Sequence, residues 1–254
     1  MPIAYVSHAS IKPLEAEQAP SPPAYRIRRS MRARRSRLTL TDDGEAVVVL
    51  PLRASDAVAA YLVARHSRWI IRHQTRISER RQARAARPLL GAGREILFRG
   101  EPHRVVSIAA IDGRARPIIR LHEQRIVLIS SPLERRSTAE LLEGWLRGRA
   151  RDDVDARVTA RAVEMGATVK RVTIRDQRTR WGSASARGTL SFSWRLVMCP
   201  AWVLDYVVVH ELAHLKIPGH SLRFWRLVER HHPQTRAARK WLRDHHDELR
   251  HALN

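Results

Sequence analysis

The sequence predicts an α+β protein. We expect a β-rich N-terminal part with one long helix, followed by a region in which a buried helix lies beside a small antiparallel or mixed sheet. Short apolar runs between residues 96 and 129, punctuated by glycines, are typical of strands. Two long segments keep apolar residues at helical spacing. Near the C-terminus, the segment from residue 206 to 215 is mostly apolar, which is typical of a helix inside a core.

The composition bounds the class of protein. The 254 residues carry a formal charge of +22, from 47 basic and 25 acidic side chains, and all but four of the basic residues are arginine. Such an excess attracts phosphate-bearing partners such as nucleic acid. Alternatively, it reflects a compositional preference for arginine on solvated faces. We favour the second interpretation because no single segment stands out, so a nucleic-acid partner is possible but not favoured.

Cysteine and hydropathy exclude other classes. Cys199 is the single cysteine, which rules out an intramolecular disulfide and an all-cysteine metal site. The first 23 residues lack the continuous apolar core of a signal peptide. No run reaches the roughly twenty apolar residues that a membrane helix needs. We therefore expect a cytoplasmic protein without membrane contact, and its oligomeric state stays open.

Residues 1–24 are proline-rich and predict a disordered tail. Residues 25–136 form the predicted N-terminal region and residues 137–254 the predicted catalytic region, although 25–254 could be one integrated domain. The basic stretch that begins at Tyr25 is expected to include a strand with outward arginines.

Local signals predict the N-terminal elements. Asp42-Asp43-Gly44 between apolar, β-branched runs is a hairpin signal. Ser55 caps a long helix that is predicted to run towards Ala86.

The C-terminal elements have equally local signals. Ser137 and Glu140 form a capping box for a helix ending near Gly166. Strands are predicted over 169–175 and 189–197, the second with the two-residue alternation of a half-buried strand. Pro200 opens the next helix, and Ser221 caps the one that follows.

One motif carries chemistry. His210, Glu211 and His214 form an H-E-x-x-H pattern, in which two imidazoles share one helix face with the glutamate beside them. The pair Pro218-Gly219 ends the helix and can bring His220 back as a third ligand. Three histidines leave one coordination position open, which is typical of a catalytic zinc site.

The alternative for this motif is two ordinary helix histidines. Apolar flanks argue against it, because a buried Glu211 between buried His210 and His214 needs a partner such as a metal ion. We therefore expect Zn²⁺ at His210, His214 and His220. Glu211 would be the general base that takes a proton from the water activated by the metal.

Several blocks carry a resemblance to a known family. They are Arg180-Trp181-Gly182-Ser183, residues 188–197, residues 208–215 and residues 220–225. In this order they resemble the YgjP-like metal-dependent hydrolase family, which is grouped with SprT-type and other zincin-like metallopeptidases. The resemblance implies a zincin-like fold. Two positions depart from the family pattern: Ala184 stands where cysteine is usual, and Ser193 where asparagine is frequent.

The sequence leaves three functions open. The resemblance implies peptide hydrolysis, which we favour, with the strand 189–197 pairing with an extended polypeptide substrate. It also implies, as the alternative, nucleoside triphosphate pyrophosphate hydrolysis of the uridine triphosphate type. The phosphate ligands would then be Arg175, Arg178, Arg180, Arg195 and Lys216. A DNA-associated or non-catalytic role, based on charge alone, is the third.

Other candidates have weaker support. Tyr206 and Arg195 are near the motif in sequence and are candidate oxyanion stabilisers. We expect Trp181 and Trp194 to be core residues rather than substrate contacts. The pairs His231-His232 and His245-His246 are interpreted as solvated helix residues rather than a second metal site.

Overall fold

The structure is a computed structural model that describes residues 4–5, 23–41, 43–86, 88–111, 116–177 and 179–254. It confirms the α+β class, with helices and three small sheets. The chain divides into two compact units, residues 1–87 and residues 88–254. Most of the predicted tail lies outside the described residues. Every helix within the described ranges is too short or too polar to cross a bilayer.

The first unit contains a four-stranded sheet in the order β1-β3-β4-β2. Its strands are β1 (Ala4–Tyr5), β2 (Tyr25–Ser30), β3 (Arg37–Leu40) and β4 (Ala46–Pro51). β3 and β4 form the predicted antiparallel hairpin, and Gly44 takes the positive φ of +86° that its turn requires. In β2, Arg26 and Arg28 are exposed while Ile27 is half-buried, which confirms the outward arginines.

The single long helix predicted after Ser55 was wrong. There are two helices, α1 (Asp56–Arg65) and α2 (Ser67–Ala85), with His66 between them at φ −108° and ψ 15°. The break lets both helices contribute to one core, because Leu62 and Ile70 are buried in the same cluster as the strands. Ser55 does cap α1, since its hydroxyl accepts a hydrogen bond from the Ala57 amide.

The second unit begins with another four-stranded sheet, in the order β5-β6-β8-β7. Its strands are β5 (Ala92–Phe98), β6 (Glu101–Ala109), β7 (Ile118–His122) and β8 (Arg125–Ser130). The long helix α3 (Thr138–Met165) follows. Its capping box between Ser137 and Glu140 and its end at Gly166 are as predicted, and Gly166 takes the left-handed conformation common at helix ends.

A three-stranded sheet comes next, in the order β10-β11-β9. Its strands are β9 (Arg171–Arg175), β10 (Gly182–Ala184) and β11 (Thr189–Ser193). The predicted strand 189–197 was wrong in its second half, because residues Trp194–Met198 form a 3₁₀ helix. Ser191 and Ser193 are buried along with Leu190 and Phe192, so β11 is buried on both faces.

Four helices complete the second unit. They are α4 (Ala201–Lys216), α5 (Leu222–His231), α6 (Thr235–Asp244) and α7 (His246–Arg250). One hydrophobic core joins them to α3 and to the strands of both sheets. The division at residues 87 and 88 therefore lies earlier than the boundary proposed from sequence at 136 and 137. Phe98, Val105 and Ile126 belong to the core that also holds α3 and α4.

A tight turn fixes the start of α4. The amides of Arg99 and Gly100 donate to the carbonyls of Val197 and Met198, at 2.8 and 3.0 Å. Gly100 has a φ of +89°, and a Cβ placed on it would lie 2.7 Å from Cγ of Pro200. The turn between β5 and β6 thus holds the residue that precedes α4.

Replacement of Gly100 should destabilise this unit. We expect G100A to lower the free energy of unfolding by about 3 kcal/mol, because the new Cβ meets Pro200 and the backbone is left-handed. G148A is the matched control: a Cβ there has no neighbour within 4 Å. It should raise the free energy of unfolding by about 0.5–1 kcal/mol through helix propensity. Urea unfolding followed by tryptophan fluorescence measures both free energies. Equal changes in the two variants would contradict the close contact between Gly100 and Pro200.

Candidate metal centre

Helix α4 is buried along most of its length. Its buried apolar residues are Val203, Leu204, Val207, Val208, Val209, Leu212 and Ala213. His210 and His214 are half-buried and one turn apart, so their imidazoles project from the same face. The core therefore fixes the backbone that presents both side chains.

A sharp turn returns the chain to α4. The helix ends at Lys216, and Gly219 takes a φ of +76° after Pro218. His220 follows immediately, and the hydroxyl of Ser221 accepts a hydrogen bond from the Phe224 amide to cap α5. The predicted turn at Pro218-Gly219 is therefore present, and it returns His220 towards α4.

The structure brings the three predicted histidines together. Nε2 of His210 lies 3.2 Å from Nε2 of His214 and 3.3 Å from Nε2 of His220. All three candidate ligand atoms lie within 4.8 Å of one another, and within the described ranges this is the one such cluster of His, Cys, Asp or Glu. Tetrahedral zinc with bonds of about 2.0–2.1 Å would place its ligand atoms about 3.4 Å apart. The spacing therefore fits a zinc-sized cation.

The environment keeps the rings of His210 and His214 neutral. Burial lowers the pKa of His210 to about 3, with smaller contributions from His214, His220 and Arg239. Burial and the nearby His220 also lower the pKa of His214, which a hydrogen bond to the backbone of Ile217 partly offsets. A neutral imidazole presents a lone pair, which is the form that binds a metal ion. The donor set and its protonation state therefore both suit a divalent transition metal.

Phe224 supports all three imidazoles. Its ring is fully buried and lies 4.4 Å from the ring of His214 in a stacked arrangement. It meets His210 and His220 edge to face, at 5.0 and 4.9 Å between centroids. One rigid side chain on α5 thus positions two rings from α4 and one from the loop.

Glu211 is held beside this cluster by strand β10. It is only 5% exposed, and a Cβ on Gly182 would lie 2.6 Å from its Oε1. Burial raises the pKa of Glu211 to about 7, while the charge of Arg180 opposes the shift. The site therefore contains a carboxylate that is a better proton acceptor than an exposed glutamate.

Two residues near the site were not predicted to act there. The ring of Trp225 stacks on His220 at 5.6 Å, and the guanidinium of Arg239 lies 4.6 Å from the centroid of Trp225. Arg239 comes from α6, so only the tertiary structure places it here. Trp225 had a local signal, since it follows a predicted ligand by five residues. Together they place a positive charge beside the exposed ligand.

The predicted phosphate-binding set is dispersed. Arg195 is ion-paired with Asp176 and lies 4.3 Å over the ring of Trp194. Arg178 lies outside the described residues. Arg175, Arg180 and Lys216 are exposed, and among the three only Arg180 influences Glu211. Of the four predicted phosphate ligands that the structure describes, only Arg180 is therefore seen to act on the site.

The two predicted core tryptophans differ. Trp194 is buried in the core, as expected. Trp181 is half-buried against the core, with Arg250 lying 4.5 Å over its ring. Tyr206 is also buried, and burial raises the pKa of its hydroxyl to about 12.

The histidine pairs have structural contacts instead of a second centre. Nδ1 of His231 is 2.8 Å from Glu164, and His245 stacks on Trp241 at 4.0 Å. His232 is buried, with Nε2 2.9 Å from the Trp202 carbonyl, so its interpretation as a solvated residue was wrong.

The two residues that depart from the family pattern lie in the three-stranded sheet, Ala184 in β10 and Ser193 at the end of β11. Ala184 is half-buried in β10 opposite Leu190. Ser193 is fully buried, and its amide donates to the Trp181 carbonyl at 2.8 Å. The described residues give no structural explanation for either departure.

The contact between Gly182 and Glu211 can be measured by a double-mutant cycle. G182A should destabilise the protein because the Cβ displaces a buried carboxylate, whereas E211A removes that clash. We expect G182A to cost less in the E211A background, with a coupling free energy of about 1–3 kcal/mol. Thermal unfolding of the four proteins gives this value, and additive effects would show that the contact is not formed.

Comparison with known proteins places this arrangement in a family. None of the curated proteins matches the chain. Among solved structures, the crystal structure of the metallopeptidase zymogen abylysin from Pyrococcus abyssi has 24% identity and a TM-score of 0.33. That match covers 36% of this chain and 93% of the other. The family model described as YgjP-like, metallopeptidase domain, matches residues 34–245. The chain therefore belongs to the YgjP-like metallopeptidase-domain family.

Proposed function

We propose that this protein is a zinc-dependent peptidase in which His210, His214 and His220 hold the metal and Glu211 is the general base. The convergence of three imidazoles beside a buried carboxylate is the observation that carries the proposal. When bound, zinc would lower the pKa of a water molecule towards neutrality and polarise the scissile carbonyl. Glu211 would accept the proton of the attacking water and return it to the leaving amine.

An extended substrate would pair with β10. The sequence assigned this function to the strand after Thr189, but β11 is the central strand of its sheet and both of its edges are occupied. β10 is an edge strand that pairs with β11 on one side. Its Gly182 lies directly against Glu211, so a peptide added at this edge would run beside the general base.

Two guanidinium groups make the site electropositive. Arg180 acts on Glu211, and Arg239 acts on His210 from another element. Both are exposed, and among the described residues neither forms a side-chain ion pair. They supply a positive potential where negative charge develops on the carbonyl oxygen of the substrate.

The same two cations favour a second candidate, hydrolysis of a nucleoside triphosphate. Arg180 and Arg239 could bind phosphate oxygens next to the metal. Against it, Arg195 is already paired with Asp176, and of the other predicted phosphate ligands that the structure describes only Arg180 acts on Glu211. We therefore favour the peptide substrate.

Substitution of the general base tests the function directly. E211Q should lower kcat for an unstructured polypeptide by at least about 100-fold, because the amide cannot accept the proton, while zinc content is unchanged. E229Q is the matched control on the exposed side of α5 and should keep full activity. The assay runs beside a panel of nucleoside triphosphates. Polypeptide turnover that survives E211Q would refute the general base, and turnover of nucleotides alone would support the second candidate.

Metal analysis tests the ligands independently of turnover. Wild-type protein loaded with zinc and dialysed should retain about one equivalent, as expected for a single three-histidine site. H210A/H214A should retain none, because one imidazole cannot hold the ion. H245A/H246A should retain the full equivalent, because those rings lie in other contacts. Retention of zinc by the first variant would contradict the assignment.

A further inference from the structure

Helix α2 carries an unusual row of arginines. Arg68, Arg72, Arg76 and Arg80 recur every four residues and are all exposed; we call them the arginine ladder. Residues four apart are neighbours on a helix surface, about 6 Å apart along its axis. The opposite face of α2 packs inward through buried Ile70. The ladder is therefore a rigid row of cations on the solvent side.

The helix has too few acidic residues to balance the positive charge of this row. α2 contains six arginines and one acidic residue, Glu79, in 19 residues. Among the described residues, no acidic side chain pairs with a member of the ladder, although the adjacent Arg81 pairs with Asp43. Like charges at this spacing repel and destabilise a helix. The repulsion between these arginines destabilises α2, and among the described residues no ion pair of the ladder offsets it.

The composition of the chain does not explain the ladder. Helix α3 of the same protein has five arginines and six acidic residues, and pairs several of them at helical spacing. Its pairs include Arg147 with Glu143 and Arg151 with Asp155. A general preference for arginine would affect both helices in the same way. α2 therefore carries an uncompensated positive charge that α3 does not.

We propose that the arginine ladder binds the phosphate backbone of double-stranded nucleic acid. A duplex carries about one phosphate per 1.7 Å of axis, so the roughly 18 Å of the ladder faces about ten phosphates. Trp69, which follows Arg68, packs half-buried against the core of the first unit, whereas surfaces that bind single strands expose aromatic residues on which bases stack. The contacts are to the backbone, so binding is independent of sequence.

Nucleic-acid binding by this surface would be a function in addition to the proposed peptidase activity, and it does not depend on that activity. In the sequence no single segment stands out, so the basic excess was interpreted as arginines on solvated faces. The pairing within α3 and its absence within α2 show a difference between helices that the total charge of the chain conceals.

The salt dependence of duplex binding tests the proposal. Affinity of the full chain for a labelled 20-base-pair DNA duplex is measured by fluorescence anisotropy over a range of salt concentrations. Four phosphate contacts contribute about −3.6 to the slope of log K against log salt. The variant R68Q/R72Q/R76Q/R80Q should lose about that much of the slope. Glutamine favours helix, so its circular dichroism should match the wild type.

The matched control removes the same charge elsewhere. R116Q/R120Q/R125Q/R171Q replaces four exposed arginines of the second unit and should keep the slope within about one unit of wild type. An equal loss in both variants would show that binding follows net charge and would overturn the proposal. Absence of duplex binding would overturn it as well. Tighter binding to a single strand of equal length, or to anionic phospholipid vesicles, would do the same. If the quadruple variant unfolds, R72Q/R76Q should lose about half as much of the slope.

Discussion

The close approach of strand β10 to helix α4 is the constraint on which the site depends. Gly182 leaves no side chain where the carboxylate of Glu211 lies, so the carboxylate can be buried without a cationic partner in contact. A buried, unpaired carboxylate is costly to ionise, and this cost is the origin of its raised pKa. The turn at Gly100 and the residue Pro200 hold the start of α4, which keeps Glu211 against the strand.

The second constraint is the buried ring of Phe224. Two of the imidazoles share a helix, but His220 belongs to a loop and would be free to turn away. Contact with Phe224 joins all three rings through one side chain that has few rotamers and no exposure. Their nitrogen atoms therefore converge through packing alone, which lowers the entropic cost of binding a cation.

Features that depend on neighbouring residues could be predicted from the sequence. The caps at Ser55 and Ser137, the hairpin at Gly44 and the return of His220 are all local. Features that depend on distant residues could not. The apolar spacing of α1 and α2 continues across His66, so periodicity cannot reveal where packing on the sheet bends the chain. Arg239 has no sequence signal because α6 brings it to the site.

The fate of Arg195 shows why counting nearby cations is a poor guide to a substrate. In sequence, Arg195 is one of five basic residues around the motif. In the structure, Asp176 neutralises it and Trp194 covers its guanidinium, so a phosphate would have to displace both. Among the described residues, Arg180 and Arg239 form no ion pair with an acidic side chain; Arg180 precedes β10, whereas Arg239 belongs to α6. Two such cations beside an open strand edge suit an extended chain better than a compact triphosphate, which needs several donors at one point.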